Sequence, residues 1–186
     1  MNREIVSERL VLKVLDETFA DRVLKYNVRN KDFLGQWEPV RSEEFYTEEF
    51  HRKQLQDELI KIKEGKLFKV WIFEKSDKNF EKVLGSIALS EIIMGCFCSC
   101  FIGYKLDKDK VNKGYMTEAL KRVIQYAFDE LGLHRIEANI IPKNGPSLKV
   151  VEKVGFYNEG TAKKYLRING VWEDHIHMVI RNEAME

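Results

Sequence analysis

The chain has 186 residues, 44% of them hydrophobic and 33% charged, enough to enclose one core and within the usual range of a single domain. Its 31 Lys and Arg stand against 30 Asp and Glu, a formal net charge of +1, which excludes the basic excess that direct nucleic-acid backbone binding relies on. Apolar runs such as Ile92–Met94 and Val123–Ile124 fall far short of the roughly 20 residues of a membrane span, and Met1–Val6 lacks the apolar centre of a secretory signal, so a cytoplasmic protein with no membrane contact is expected.

From the N-terminus, Ser7 to Leu15 alternates as a strand, Asp16 to Thr18 supplies helix-start residues, and Phe19, Val23, Leu24 and Val28 carry a helical rhythm. A loop around Phe33–Val40 follows, in which Phe33 and Trp37 read equally as plugs under the loop and as functional aromatics. Thr47 to Glu64 reads as a helix with an interrupted apolar face (Phe50, Leu55, Leu59, Ile62), ended by Gly65. Leu67–Phe73, Val83–Glu91 and Phe97–Leu106 read as an antiparallel meander. Within it Cys96, Cys98 and Cys100 alternate, which places three free thiols on one face of a strand; the spacing is too tight for a metal set, and no metal is expected.

The strongest helical pattern runs through Met116, Ala119, Leu120, Val123, Ile124, Ala127, Phe128 and Leu131, with Gly132 as the stop. Arg135–Ile141 then reads as a strand, Pro146–Val154 as a short helix, and Phe156 onward as strands closed by the hairpin signal Asn169-Gly170. With no repeat, linker or low-complexity tract, residues 1–186 form one α+β domain.

Chemistry enters where Val111, Asn112, Lys113, Gly114, Tyr115, Met116 and Thr117 join a strand to that strongest helix. Backbone N–H groups converge at a helix N-terminus, the positive end of the helix favours an anion, and Gly114 lets a phosphate approach without a side chain intervening. An ordinary glycine turn accounts for the same residues equally well. The Walker phosphate-loop spacing and the Gly-x-Gly-x-x-Gly fingerprint are both absent, which sets aside nucleoside triphosphates and NAD.

The string Val111 to Leu120 resembles the pyrophosphate loop and helix of the GCN5-related N-acetyltransferases, Gln/Arg-x-x-Gly-x-Gly/Ala, with Val111 and Met116 departing from the pattern. Asn30 to Arg41 with its Trp-Glu-Pro-Val-Arg, Gly95 to Tyr104, His134-Arg135-Ile136 through Asn144 to Gly155-Phe156, and Tyr165, Asn169-Gly170 and Trp172 to His175 resemble, in order and spacing, the ribosomal-protein-alanine branch of that family. The resemblance implies a mixed, mostly antiparallel sheet of about seven strands with about four helices, its central parallel pair splayed at the cofactor site. It also implies acetyl-coenzyme A as cosubstrate and direct attack by an amine. The partner is then a protein N-terminus, a ribosomal protein's among them, or a small amine, and the chain a monomer or homodimer. The splayed strands are Phe97–Leu106 and Arg135–Ile141, and the N–H groups near Ile102, Gly103 and Tyr104 face the thioester oxygen, where an ordinary ladder role competes.

For the proton steps the resemblance offers Glu38 as base at the substrate mouth, with a plain surface carboxylate as the competing role. Asp174 and His175 form a second pair, of which only one points to a given face, and a structural histidine competes there. Many family members carry a tyrosine where this chain has Val151; the pattern Asn144-x-x-Ser147 implies that Asn144 binds the pantetheine end and Ser147 donates toward sulfur, while helix capping explains both residues without function. Glu38, Glu43, Glu44, Glu48 and Glu49 present an acidic rim to a basic polypeptide or simply a solvated face. Two alternatives stay open: an acetyltransferase for a small amine, and a non-catalytic acyl-coenzyme A sensor.

Overall fold

The computed structural model describes residues 4–186, through which one eight-stranded sheet runs in the order β1-β2-β3-β4-β5-β6-β8-β7. Strands β1 (Glu4–Val6) and β2 (Leu10–Lys13) form a hairpin with Val6 opposite Val11, and of the single strand expected over Ser7–Leu15 only the β2 residues are in the ladder. Ser7 breaks it: its backbone N–H and its hydroxyl both donate to the Leu10 carbonyl, at 3.0 and 3.3 Å, a local turn that competes with the extended ladder.

Helix α1 (Ala20–Arg29) runs directly into the short α2 (Lys31–Gly35), which occupies the first half of the expected loop. The hairpin and α2 are why the described residues form eight strands and five α-helices. Helix α3 (Glu48–Lys63) starts under Thr47, whose side chain accepts from the Phe50 N–H at 3.3 Å. Strands β3 (Leu67–Glu74), β4 (Gly85–Ile93) and β5 (Ser99–Leu106) form the antiparallel meander. Then come α4 (Tyr115–Asp129), β6 (Arg135–Ile140), α5 (Gly145–Lys153), β7 (Tyr157–Ile168) and β8 (Val171–Arg181).

Helices cover both faces of the central sheet, so β3 buries alternate residues in opposite directions: Phe68, Val70 and Ile72 join the core with α4, while Trp71 and Phe73 join Val23 and Tyr26 of α1 and Leu55 of α3. The apolar stripe of α4 (Met116, Ala119, Leu120, Val123, Ile124, Ala127) is buried as its spacing predicts.

The cysteine row is corrected. Cys96 is exposed in the β4–β5 turn, Cys98 has a left-handed backbone (φ 41°), and only Cys100 lies on β5. The Cys98 carbonyl accepts the N–H groups of His134 and Arg135 at 2.7 and 3.1 Å, which draws it out of the strand alternation. Burial pushes the Cys100 thiol up to about 12, so it holds its proton and packs as a small apolar side chain.

Strands β5 and β6 run parallel, the only parallel neighbours in the order given, but they pair only from Ser99–Arg135 to Phe101–Glu137. Beyond that point β5 continues to Leu106 and β6 to Ile140 without pairing. A gap opens between them at the centre of the sheet.

Candidate active site

At one end of that gap stands the N-terminus of α4. Gly114 caps it with a left-handed backbone (φ 77°), preceded by Asn112 at φ 59°, and the Glu118 N–H returns to the Gly114 carbonyl at 3.0 Å. The first-turn N–H groups of Tyr115, Met116 and Thr117 have no carbonyl one turn back in the helix and face outward as donors for an anion. Of the other loop residues, Val111 is half-buried, and Lys113 donates from Nζ to the Asp109 carbonyl at 2.8 Å. Met116 is buried in the core below the loop, so its bulk points away from the anion site.

Two residues that sequence reasoning passed over lock this loop. The Glu118 carboxylate accepts from the Ser7 hydroxyl (2.7 Å), the Arg9 backbone N–H (2.8 Å) and Arg9 Nε (2.7 Å). Arg9 also donates to the Lys113 carbonyl at 3.0 Å and lies 4.5 Å from the centre of the Tyr115 ring. Burial works to raise the Glu118 carboxyl, but the bonds from Arg9 and Ser7 outweigh it and hold it below its ordinary value. No local pattern ties the turn of a hairpin to a helix more than a hundred positions away.

A Cβ on Gly114 would lie 3.4 Å from the Arg9 guanidinium on a backbone that L side chains rarely adopt. Gly114→Val is therefore expected to weaken acetyl-coenzyme A at least tenfold by calorimetry, with the folded state kept; an unchanged dissociation constant would remove the loop from the site.

Within the gap Ile102 is buried in the core, and nothing lies within 4 Å of the place a Cβ on Gly103 would take, so that face of the strand is open. Tyr104 crosses to α5: its hydroxyl lies 2.7 Å from Ser147 Oγ and donates to the Ser147 carbonyl at 3.0 Å. Burial pushes the Tyr104 phenol up to about 12, against the hydrogen bond from Ser147 that lowers it, so it carries a proton at neutral pH. Asn144 caps α5, its Oδ1 accepting from the Ser147 N–H at 3.2 Å. Val151, at the position of the family's usual tyrosine, is fully buried in the core. Sequence reasoning had used only the Tyr104 backbone; the signal that was available is that Cys100, Ile102 and Tyr104 alternate onto the face that α5 covers.

On the opposite face, Glu38 sits between two cations: Oε1 is 3.2 Å from Lys105 Nζ and Oε2 is 3.3 Å from Arg41. Lys105 shares the face of Gly103, and burial lowers its amine while Glu38 opposes that shift. Asn169 at the β7–β8 turn accepts from the Val40 N–H at 2.7 Å, which joins the Trp-Glu-Pro loop to the far hairpin. Beside them a cleft of about 230 Å³ is lined by Asn27, Asp32, Glu38, Arg41, Phe45 and Tyr46. Of the acidic run only Glu38 lines it: Glu48 pairs with Arg52 at 2.6 Å and Glu49 with Lys53 at 3.4 Å along the exposed side of α3.

Asp174 and His175 are not a pair. Asp174 turns outward to Lys163 Nζ and the Lys164 N–H, both at 2.9 Å, and these bonds lower its carboxyl. His175 points to the other face, where it is 2% exposed with Nδ1 3.1 Å from the Glu173 carbonyl. No helix among the described residues is long and apolar enough to cross a membrane.

The candidate site is thus a parallel strand pair that parts beside a helix N-terminus, with the hydrogen-bonded Tyr104 and Ser147 hydroxyls at the gap. The family model described as acetyltransferase (GNAT) domain matches residues 9–157, and the chain belongs to that family. Among its relatives, the probable N-acetyltransferase YjcK of Bacillus subtilis is 40% identical over 173 residues, covering 93% of this chain and 94% of that protein. The [ribosomal protein uS5]-alanine N-acetyltransferase of Escherichia coli is 33% identical over 183 residues, 92% of this chain and 87% of that protein. The crystal structure of the ribosomal-protein-S5-alanine acetyltransferase from Vibrio fischeri superposes with a TM-score of 0.92 at 34% identity, covering 99% of each chain.

Proposed function

We propose that this chain transfers an acetyl group from acetyl-coenzyme A to the α-amine of a protein N-terminus, as its relatives named for ribosomal proteins do. The single observation that carries the reading is the Tyr104–Ser147 hydrogen bond of 2.7 Å set across the opened strand pair. The residues present fit the donor: the left-handed Gly114 leaves room for a diphosphate over the free amides of α4, and the gap leaves a channel for its arm. When bound, acetyl-coenzyme A supplies an activated thioester.

The chain's own groups do the rest. In this reading, N–H groups of β5 past the last β5–β6 pair take the charge that develops on the carbonyl oxygen, as the end of that pairing supports. Ser147, backed by the Tyr104 proton, donates toward the departing sulfur, which supplies from β5 the donor that Val151 cannot. An α-amine near roughly 7.7 to 8.0 gives up its proton near neutral pH far more readily than a lysine near 10.4, so the site favours an N-terminus over a side chain. Asn144 fixes Ser147 by capping its helix. Glu38, with both oxygens held by cations, shapes the acceptor mouth with Lys105 and Arg41.

Thiol release from acetyl-coenzyme A against peptides beginning with Ala, Ser or Met, beside spermidine and free lysine, tests this, with product mass locating the acetyl group. Mass gained on an α-amine is the expected result; turnover with small amines alone would replace the acceptor, and binding without turnover would make the chain a sensor. Glu38→Gln is expected to raise the peptide KM several-fold with kcat little changed, the signature of lost uniform binding.

A further inference from the structure

Two buried side-chain acceptors beside the gap have no hydrogen-bond partner: Asn139 Oδ1 on β6 and His177 Nε2 on β8. They belong together, because Asn139 and His177 stand opposite each other in the β6–β8 register and so share a face. That face borders the opening. Glu137, two residues before Asn139, belongs to the last β5–β6 pair with Phe101, and Gly103, two residues past Phe101, leaves the neighbouring β5 surface bare.

The protonation pattern of His177 follows from its other nitrogen. Nδ1 lies 2.6 Å from Glu137 Oε1, and the second Glu137 oxygen accepts from Arg135 at 2.8 Å. A carboxylate only accepts, so Nδ1 carries the hydrogen, and in the neutral ring Nε2 presents a bare lone pair. Two orphaned acceptors side by side call for a ligand rich in N–H donors, since each unpaired buried group keeps the cost of having lost its water. A primary amine is such a ligand, with hydrogens for both acceptors at once.

We infer that Asn139 and His177 form the acceptor-amine subsite and that His177, oriented by Glu137, is the base that takes the amine proton. The inference rests on the acetyl-transfer reading above and names what that reading leaves unassigned. Asn139 Oδ1 holds one N–H of the neutral amine and His177 Nε2 faces the other. As the amine nitrogen forms its bond to the acyl carbon and the carbon–sulfur bond breaks, the amine proton passes to Nε2. The sulfur takes its proton from the Ser147–Tyr104 pair, and exchange with water returns both groups to their starting states. The Tyr165 ring, its centre 4.9 Å from that of His177, closes the subsite, and the arriving peptide displaces it. Tyr165 sits where β7 slips register, next to a left-handed Lys164, so the ring is held by an irregular stretch of strand.

The test uses the full chain, labelled with nitrogen-15 in histidine and filled with coenzyme A, titrated with an Ala-initiated tetrapeptide and separately with ethylamine. The expected result is a His177 ring in the Nδ1–H form whose Nε2 resonance moves on amine addition. In parallel, His177→Gln lowers kcat for thiol release by roughly 100-fold with acetyl-coenzyme A affinity unchanged, and Asn139→Leu raises the acceptor KM. A shift with ethylamine and none with the peptide upholds the subsite while removing the N-terminal acceptor. A proton on Nε2, no shift with either amine, or a kcat for His177→Gln within threefold of the parent overturns the inference.

Discussion

Tyr104→Phe is expected to lower kcat for thiol release by about 100-fold while leaving acetyl-coenzyme A affinity within twofold, because the hydroxyl is needed only once sulfur begins to carry charge. The phenol is partly buried, raised to about 12 and hydrogen-bonded to Ser147, so in the resting chain it is a proton held in place. Ser147→Ala should cost a comparable factor. Since the two hydroxyls form one path, the double variant should fall little below the worse single one, the non-additivity expected of groups that act as a unit. Additive losses would mean that the two serve separate steps, and full activity in Tyr104→Phe would return the donor role to Ser147 or water alone.

The second large effect concerns the carboxylate that closes β5 against α1. Asp107 is completely buried, and its Oδ2 receives Arg29 at 2.6 Å and Asn30 at 3.4 Å, while Oδ1 accepts the Asp109 N–H at 2.9 Å. Arg29 also donates to the Val83 carbonyl at 2.8 Å, and Asn30 Oδ1 accepts the Lys108 N–H at 2.9 Å. Asp107→Ala leaves the guanidinium without its anion and strips the cap from the turn after β5, a loss of about 3 to 5 kcal/mol. At about 2 to 4 °C per kcal/mol for a chain of this size, the melting temperature should fall by about 6 to 20 °C.

The same residue sets an acid limb. Burial works to raise the Asp107 carboxyl, but the bonds from the Asp109 N–H and Arg29 outweigh it, so its folded value lies below the ordinary one. A depressed folded value contributes stability that is fully present above the unfolded carboxylate range and is lost as pH falls through the folded value. Chemical denaturation between pH 6 and pH 3 should therefore show a flatter decline in Asp107→Asn than in the parent chain. Equal slopes would place the acid sensitivity elsewhere.

The sequence by itself determined the elements whose pattern is local. The apolar stripe of α4 could bury only one way, Gly114 announced a turn that needs a left-handed backbone, and Asn169-Gly170 closed the last hairpin where a tight turn was expected. The left-handed glycine turn that opens α4 was legible for the same reason: a loop and the helix it opens are neighbours in the chain. Only the tertiary structure decided what came from distance. It placed Ser7 and Arg9 on Glu118, brought Tyr104 onto Ser147, and set Glu38 between Lys105 and Arg41. It also parted Asp174 from His175 and set Asn139 beside His177 and Glu137. Strand pairing sets residues side by side according to register, and register is fixed by how the whole sheet buries its two faces, a property that no window of sequence contains.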